Sequence, residues 1–232
     1  MSSYELKLIA VITMLIDHIG FFFFPQYGIL RVVGRLSFPI FAWFIGNGIR
    51  YTHDTKLYLT RMVLFGFVSQ IPYALSIQLL YPGPVELNIF FTLSIGLAAI
   101  LLMRKTDRKW LKFLIVLVSA GLAAAIPTDY GAAGVLSVVA FYVYHDNIKA
   151  MFLSQTAIFG VFYTLPAIYV VTEHLVQSAD FIATTQIFAV LSVALIALYN
   201  GERGPKIKYF FYLLYPVQFV VFYSVLALSM QY

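Results

Sequence analysis

The segment MLIDHIGFFFF, residues 14–24, places an aspartate beside a histidine inside an apolar run. Histidine is the side chain whose ordinary pKa, about 6.5, suits proton transfer near neutral pH. We therefore interpret His18 as a candidate general base, with Asp17 orienting its ring or stabilising the imidazolium form. Because neighbouring side chains on a helix point about 100° apart, Asp17 can instead serve an arginine alone.

Two arginines follow in the segment RVVGRLSFPIF. An arginine inside a bilayer costs at least about 2.5–3.5 kcal/mol and normally faces a cavity or a partner. Counted from the turn at Pro25, Arg35 lies at about the same depth as His18. We expect Asp17, His18 and Arg35 to meet between the first two helices, with Arg31, one turn above Arg35, at the mouth. Arg35 would hold the aspartate or stabilise a developing oxyanion; a purely structural ion pair with Asp17 is the alternative.

Lys7 belongs to the same helical face as His18. Lys7, Val11, Met14 and His18 follow the i, i+4, i+7, i+11 pattern of one face. That spacing places Lys7 about 16 Å from His18 along the helix. An anionic headgroup bound at Lys7 could extend a thin arm to His18, and the alternative is that Lys7 only anchors the helix at the cytoplasmic surface.

The composition indicates which elements must position these residues. The chain is 62% hydrophobic and 11% charged, with a mean hydropathy of +0.88, whereas a soluble domain is about 45–50% apolar and about 25% charged. We therefore predict an all-α, polytopic membrane helical bundle, with residues 1–232 forming a single integral-membrane domain. No signal peptide is visible, so we expect the first run to be retained. The absence of cysteine excludes thiol nucleophiles, disulfides and cysteine metal sites, and no metal is expected.

Nine apolar runs approach the roughly 20 residues that a spanning helix needs. They cover residues 6–24, 31–50, 58–80, 88–104, 110–126, 132–147, 150–172, 181–199 and 209–230. Turn signals rich in proline and glycine separate several of them, including PQYG, YPGP, PTDYG and NGERGP. The sequence therefore predicts about nine transmembrane helices.

The charges give an independent test of this count, because positive residues collect in cytoplasmic loops. With the N-terminus cytoplasmic, every lysine and arginine except Arg31 and Arg35 falls on the cytoplasmic side. The outer connections carry only acidic charges, at Glu86, Asp129, Glu173 and Asp180. We predict a multi-pass protein of the cell membrane, surrounded by lipid, with an extracytoplasmic C-terminus. This topology explains the net charge of +5 without a nucleic-acid partner.

Several blocks together resemble the TraX family, which is named for the conjugation protein that N-acetylates F pilin. In order, they are LKLIAVITMLIDHIGFFF, RVVGRLSFPIFAWFIGNGIRYT, YLTRMVLFGFVSQIPYAL, LNIFFTLSIGL, TDYGAAGVL, YNGERG and FYLLYPVQF. The family is similar to the wider acyltransferase-3 superfamily, whose members take acetyl-coenzyme A from the cytoplasm and acylate acceptors at the outer side. The resemblance implies an acetyltransferase that uses acetyl-coenzyme A and an extracytoplasmic amine or hydroxyl acceptor.

The resemblance also implies roles for single residues. The superfamily's pattern of a basic residue, ten residues and a histidine is met by Lys7 and His18, so Lys7 would contact the coenzyme's phosphates and His18 would be catalytic. One departure lies in the last helix, where relatives carry YP-x-H and this chain has YPVQ. We assign Gln218 a substrate-orienting role, because an amide is not a base at neutral pH. A catalytically inactive membrane scaffold is the alternative that this departure leaves open.

Further polar residues inside the runs are candidates for binding. Asn47 and Arg61 would help to hold the coenzyme. Alternatively, Asn47 bonds a neighbouring helix, and Arg61 only marks the cytoplasmic side of the membrane. Asn88 opens the fourth helix, where a helix cap is the default interpretation, and the resemblance implies an acceptor-site residue. Tyr215, with Tyr212, is a candidate pocket residue.

A different class of function would use the same residues. Asp17, His18 and Arg35 could relay protons in a proton-coupled transporter. Against this alternative, the sequence contains no paired inverted halves and no matched broken helices.

Overall fold

The computed structural model describes residues 1–172, 185–205 and 208–230. Within these ranges the regular structure is helical, apart from one isolated β-bridge between Leu87 and Thr128. The predicted all-α class is confirmed. Helical segments coincide with the predicted apolar runs, although part of the run 181–199 lies outside the described residues, as do Glu173 and Asp180.

The chain divides into two compact units, which are described separately. Unit 1 comprises Met1–Asn47 and Ala140–Lys206, and unit 2 comprises Gly48–Val139 and Ile207–Tyr232. The assignment of one domain to residues 1–232 stays a prediction.

Unit 1 begins with α1 (Ser3–Phe22), whose first turn is closed by a capping box. The Ser2 hydroxyl accepts from the Glu5 N–H at 3.3 Å, and the Glu5 carboxylate accepts from the Ser2 N–H at 2.7 Å. These bonds satisfy two backbone donors that the helix itself leaves without partners. From this fixed start, α1 packs against α2 (Gly28–Gly34).

The second predicted run, 31–50, falls within one apolar helical stretch, Gly28–Tyr51, that is long enough to cross a membrane, and a short turn divides this stretch. A break at Arg35 and Leu36 separates α2 from α3 (Ser37–Tyr51). Pro39, in the first turn of α3, has no N–H, and in a continuous helix its ring would clash with the carbonyl of residue 35. The break therefore falls at one of the two arginines singled out by their position in an apolar run.

The rest of unit 1 follows α7 (Gly131–Val143) and contains a stretch with two irregular helices. It consists of α8 (Ile148–Phe159), the π-helical segment Gly160–Thr164, α9 (Leu165–Thr172), the 3-10 helix Gln186–Leu191 and α10 (Ser192–Ala197). The run predicted at 150–172 is thus continuously helical but includes a π turn. The 3-10 helix packs against both α8 and α2, so it lies beside the helix that carries Arg31.

Unit 2 contains α4 (Thr55–Leu80), α5 (Ile89–Met103), α6 (Lys109–Ala125) and α11 (Lys208–Ser229). The Asp54 carboxylate accepts from the Leu57 N–H at 2.8 Å and caps α4. α4 packs against α5 and α11, and α5 packs against α6. A Cβ added at Gly96 would lie 2.8 Å from the Cβ of Val138, so glycine at this position permits the close approach of α5 and α7.

Four helical stretches among the described residues are long and apolar enough to cross a membrane. They are Gly28–Tyr51, Thr55–Leu80, Ile148–Ile168 and Phe210–Ser229. Shorter apolar helices cover Ile89–Met103, Gly131–Val143 and Gln186–Ala197. Many large apolar side chains on these helices are exposed, for example Ile71 at 69% and Leu153 at 66%, as expected of surfaces that face lipid. Nine crossings and the side of each terminus stay predictions.

Candidate functional site

Two arginines hold the Asp17 carboxylate in unit 1. Arg31 Nη1 lies 2.6 Å from Asp17 Oδ2 and also donates to the Asp17 carbonyl at 3.0 Å. Arg35 Nη2 lies 3.6 Å from Asp17 Oδ1. The three side chains are only 8–15% exposed. The structure thus brings the predicted residues together, but the nearer arginine is Arg31, which the sequence analysis placed at the mouth.

Small residues let α1 and α2 approach closely enough for this cluster to form. A Cβ added at Gly34 would overlap Cβ and Oδ1 of Asp17, and one at Gly20 would lie 2.7 Å from the Cβ of Leu30. The Arg31 guanidinium also lies over the Phe21 ring, 5.2 Å from its centroid. Close backbone approach and the aromatic face together fix the position of Arg31 against α1.

His18 follows Asp17 in α1 and is partly buried. The residues of its helical face, Val11 and Met14, are 3% and 8% exposed, so this face points into unit 1. A proton-accepting ring next to a carboxylate that two guanidiniums hold can serve general-base chemistry and can stabilise negative charge. Since the arginines engage the carboxylate, an orienting role of Asp17 toward the ring stays a prediction.

Lys7 of α1 lies against Phe44 of α3, and Asn47 lies three residues further along the same helix. Lys7 Nζ lies 4.8 Å from the centroid of the Phe44 ring. Asn47 Oδ1 lies 3.1 Å from His145 Nε2. Phe44 and Asn47 are three residues apart and therefore share a face of α3. Asn47 thus bonds a residue of the turn after α7, and a role in holding the coenzyme stays a prediction.

Sequence reasoning missed His145. Its Nδ1 lies 2.9 Å from Asp146 Oδ1, and its ring stacks on Trp43 at 6.0 Å with an interplanar angle of 12°. The available signal was a His-Asp dipeptide directly after an apolar run. That signal is weak, because His53 and Asp54 form the same dipeptide in an exposed turn.

Asn88 in unit 2 is fully buried and has three hydrogen-bonded neighbours. Its Oδ1 accepts from the Phe90 N–H at 3.1 Å, which caps α5, and its Nδ2 donates to the Gly66 carbonyl and to Gln70 Oε1, each at 2.8 Å. Gln70 in turn donates to the Glu86 carbonyl at 3.0 Å. The helix-cap interpretation is confirmed. A substrate that bonds Asn88 would replace one of these partners, and that role stays a prediction.

The other candidates in unit 2 lie on α4 and α11. Tyr215 and Gln218, three residues apart on α11, are each 5% exposed. The Tyr215 ring packs against Phe219 and Phe90, with centroids 5.0 and 5.3 Å away. Arg61 is partly buried on α4. Over the described ranges, no group of three histidine, aspartate or glutamate side chains could hold a metal ion.

The chain resembles known proteins over nearly its whole length. The model of the TraX protein family matches residues 2–226. A relative from Dichelobacter nodosus, named probable fimbrial assembly protein FimC of serogroup H1, is 28% identical over 96% of this chain and 95% of its own. Protein TraX of Escherichia coli is 27% identical over 87% of this chain and 77% of its own. No solved structure matches the chain.

Proposed function

The chain belongs to the TraX family, and from that premise we propose that it is a multi-pass membrane acetyltransferase. It moves an acetyl group from cytoplasmic acetyl-coenzyme A to an amine or hydroxyl acceptor on the extracytoplasmic side. The observation that carries the proposal is the buried ion-paired carboxylate of Asp17, with Arg31 and Arg35 at 2.6 and 3.6 Å, directly beside His18. Charged side chains inside an apolar helix are costly to bury and therefore usually mark a functional site.

His18 is the general base of the proposed reaction. It accepts the proton of the acceptor's N–H or O–H as the nitrogen or oxygen attacks the thioester carbonyl. The tetrahedral intermediate then collapses, its C–S bond breaks, and the proton passes from His18 to the departing thiolate. Arg35, the more buried arginine, stabilises the oxyanion, while Arg31 fixes Asp17 and lies on the acceptor's route.

The acyl donor carries phosphates, and unit 1 offers groups that suit them. The Lys7 ammonium, over the Phe44 ring, is a point charge of the kind that binds phosphate. Asn47 lies on the same face of α3 and supplies an amide. Both lie at the end that the charge distribution predicts to be cytoplasmic. The substrate-orienting role of Gln218 and the pocket role of Tyr215, both in unit 2, stay predictions.

Replacement of His18 tests the proposal. We expect His18→Ala to lower the rate of transfer about 10²–10⁴-fold, the usual contribution of a general base. The release of coenzyme A thiol can be followed with a thiol reagent, because the chain itself contains no cysteine. Proteoliposomes with the purified chain, acetyl-coenzyme A and a cell-envelope fraction as the acceptor provide the assay.

His53→Ala is the matched control, because His53 is an exposed histidine in the turn between α3 and α4. This variant should transfer at the parent rate. If His18→Ala also does so, His18 is not the base. Proton-driven solute flux in vesicles that lack acetyl-coenzyme A, lost in His18→Ala, would instead favour the transporter.

A further inference from the structure

A second group of polar side chains lies where α4 meets α11 in unit 2. Tyr58 and Arg61 are three residues apart on α4 and therefore share a face, and Phe65 continues that face one turn later. Tyr212 of α11 packs onto it, with its ring centroid 4.9 Å from that of Phe65. Phe90 stacks on the Tyr212 ring at 6.2 Å and 12° and is itself a neighbour of Phe65, at 6.4 Å. The two phenylalanines thus hold the Tyr212 ring in place.

The polar atoms of this group are a cation and two hydroxyls. Tyr58 and Arg61 project from the face of α4 that also carries Phe65, and Tyr212 packs onto Phe65. Arg61 Nε is buried and makes no hydrogen bond. In the part of the chain that the structure describes, no carboxylate forms an ion pair with Arg61.

This set of groups selects the charge of a ligand. A guanidinium only donates hydrogen bonds, and phenol hydroxyls can donate too. A guanidinium without a carboxylate partner inside an apolar protein favours an anion, and its planar fork matches phosphate oxygens. The Tyr58 hydroxyl lies against the backbone of Gly48, where an added Cβ would come within 3.2 Å of its oxygen, so glycine at this position permits the hydroxyl to lie there.

We propose that Tyr58, Arg61 and Tyr212 form a phosphate-binding subsite that takes a phosphate group of the acyl donor. The inference rests on the proposed function and deepens it. It assigns a phosphate ligand to Tyr58 and Tyr212, and it identifies them as the residues that bind this phosphate together with Arg61. The subsite lies near the start of α4, at the end predicted to be cytoplasmic, where the acyl donor is available. An anionic lipid headgroup has the same chemistry, so the experiment must separate the two sources.

Binding to the purified full chain in maltoside micelles tests the subsite. Calorimetry with coenzyme A and with pantetheine, which lacks phosphate, separates contacts to phosphate from contacts to the arm. We expect Arg61→Gln to weaken coenzyme A binding about tenfold or more, because a charge-assisted bond is lost. Tyr58→Phe and Tyr212→Phe should each weaken it a few-fold, and none of the three should change pantetheine binding.

Arg104→Gln is the matched control, because Arg104 is an exposed arginine of the same unit. It should leave coenzyme A binding unchanged. An equal loss in Arg104→Gln would indicate general charge attraction and overturn the subsite. If Arg61→Gln binds coenzyme A with the affinity of the parent, the subsite is also overturned. If that variant unfolds at a lower temperature than the parent, the two phenylalanine variants and Gly48→Ala, which crowds the Tyr58 hydroxyl, decide the question in its place.

Micelles doped with phosphatidylglycerol or phosphatidylcholine identify the source of the phosphate. Competition between coenzyme A and phosphatidylglycerol supports the subsite. Arg61-dependent stabilisation by phosphatidylglycerol alone, without coenzyme A binding, overturns the assignment to the acyl donor.

The proposed function and the subsite can fail separately. His18→Ala should bind coenzyme A like the parent and yet not transfer acetyl groups. Arg61-dependent coenzyme A binding without any transfer by the parent contradicts the proposed function and leaves the subsite standing. Transfer by the parent with unchanged affinity in Arg61→Gln contradicts the subsite alone.

Discussion

Gly34 is the residue on which the geometry of the Asp17 cluster depends. An added Cβ there would overlap Cβ and Oδ1 of Asp17, so Gly34→Ala must push α2 away from α1 or displace the carboxylate. We expect this substitution to lower the free energy of unfolding by about 1–3 kcal/mol, the usual cost of overpacking. Thermal unfolding in detergent measures the change.

Gly121 provides the control for that prediction. It lies inside α6, and an added Cβ there meets no atom within 4 Å. Gly121→Ala should leave stability unchanged or raise it by up to about 1 kcal/mol, because alanine favours a helix over glycine. Equal stability of Gly34→Ala and the parent would mean that close contact at Asp17 is not required.

At the scale of single residues, the sequence predicted which groups meet around Asp17 but not how they pair. Depth along a helix follows from residue counting, and it placed His18, the neighbour of Asp17, at the same level as Arg35. Asp17 pairs more closely with Arg31 than with Arg35, and this pairing involves the close approach at Gly34 and the Phe21 ring beneath the Arg31 guanidinium. Both are contacts between α1 and α2, and contacts between helices cannot be predicted by counting residues along one helix. The bond between Asn47 and His145 joins residues 98 positions apart and was out of reach for the same reason.

At the scale of helices, Asn88 shows how one side chain can join two of them. It caps α5 and also donates to the Gly66 carbonyl and to Gln70 on α4. Asn88→Ala removes the cap and both side-chain bonds to α4, while the backbone N–H of residue 88 still donates to Gln70 Oε1 at 2.9 Å. We expect a loss of about 2–4 kcal/mol in the free energy of unfolding, measured by denaturation in mixed micelles.

Asn147 caps α8 through a single bond to the Ala150 N–H and is exposed. Asn147→Ala should therefore cost only about 1 kcal/mol. Similar losses in the two variants would show that the buried bonds of Asn88 to α4 add nothing to the cap.

The positions where helices are interrupted were harder to predict than the presence of the helices. Apolar runs and turn residues indicated where helices begin, and the caps at Asp54 and Asn88 follow from residue type. The break at Arg35 could have been inferred from Pro39 four residues later, because proline clashes with the carbonyl at that distance. The π turn at Gly160–Thr164 begins with a glycine and is followed by Pro166, but these residues indicate an irregularity in a helix and not a π turn in particular.

At the scale of the whole molecule, composition was sufficient to predict an all-helical chain with membrane character. Charge asymmetry between loops then predicted an orientation, which depends on the surrounding bilayer and on insertion and is therefore not encoded in contacts within the chain. The division into two units was not predicted, because each unit is assembled from segments far apart in sequence.

Single cysteines test the orientation, and the chain offers a cysteine-free background. Pro82, between α4 and α5, and Lys105, between α5 and α6, are both exposed. We expect a membrane-impermeant maleimide to label Pro82→Cys in intact cells and Lys105→Cys only after permeabilisation. The reverse pattern would invert the topology, and labelling of both in intact cells would contradict a crossing by α5.

The π turn in the stretch from Ile148 to Thr172 accommodates one residue more than an α turn does. Residues beyond Thr164 are therefore rotated by roughly 100° from the positions that an uninterrupted helix would give them. A homologue with a regular helix there would align with a one-residue gap inside an apolar span instead of in a loop. If the two sequences were aligned without that gap, positions that face lipid in one protein would be paired with positions that face inward in the other.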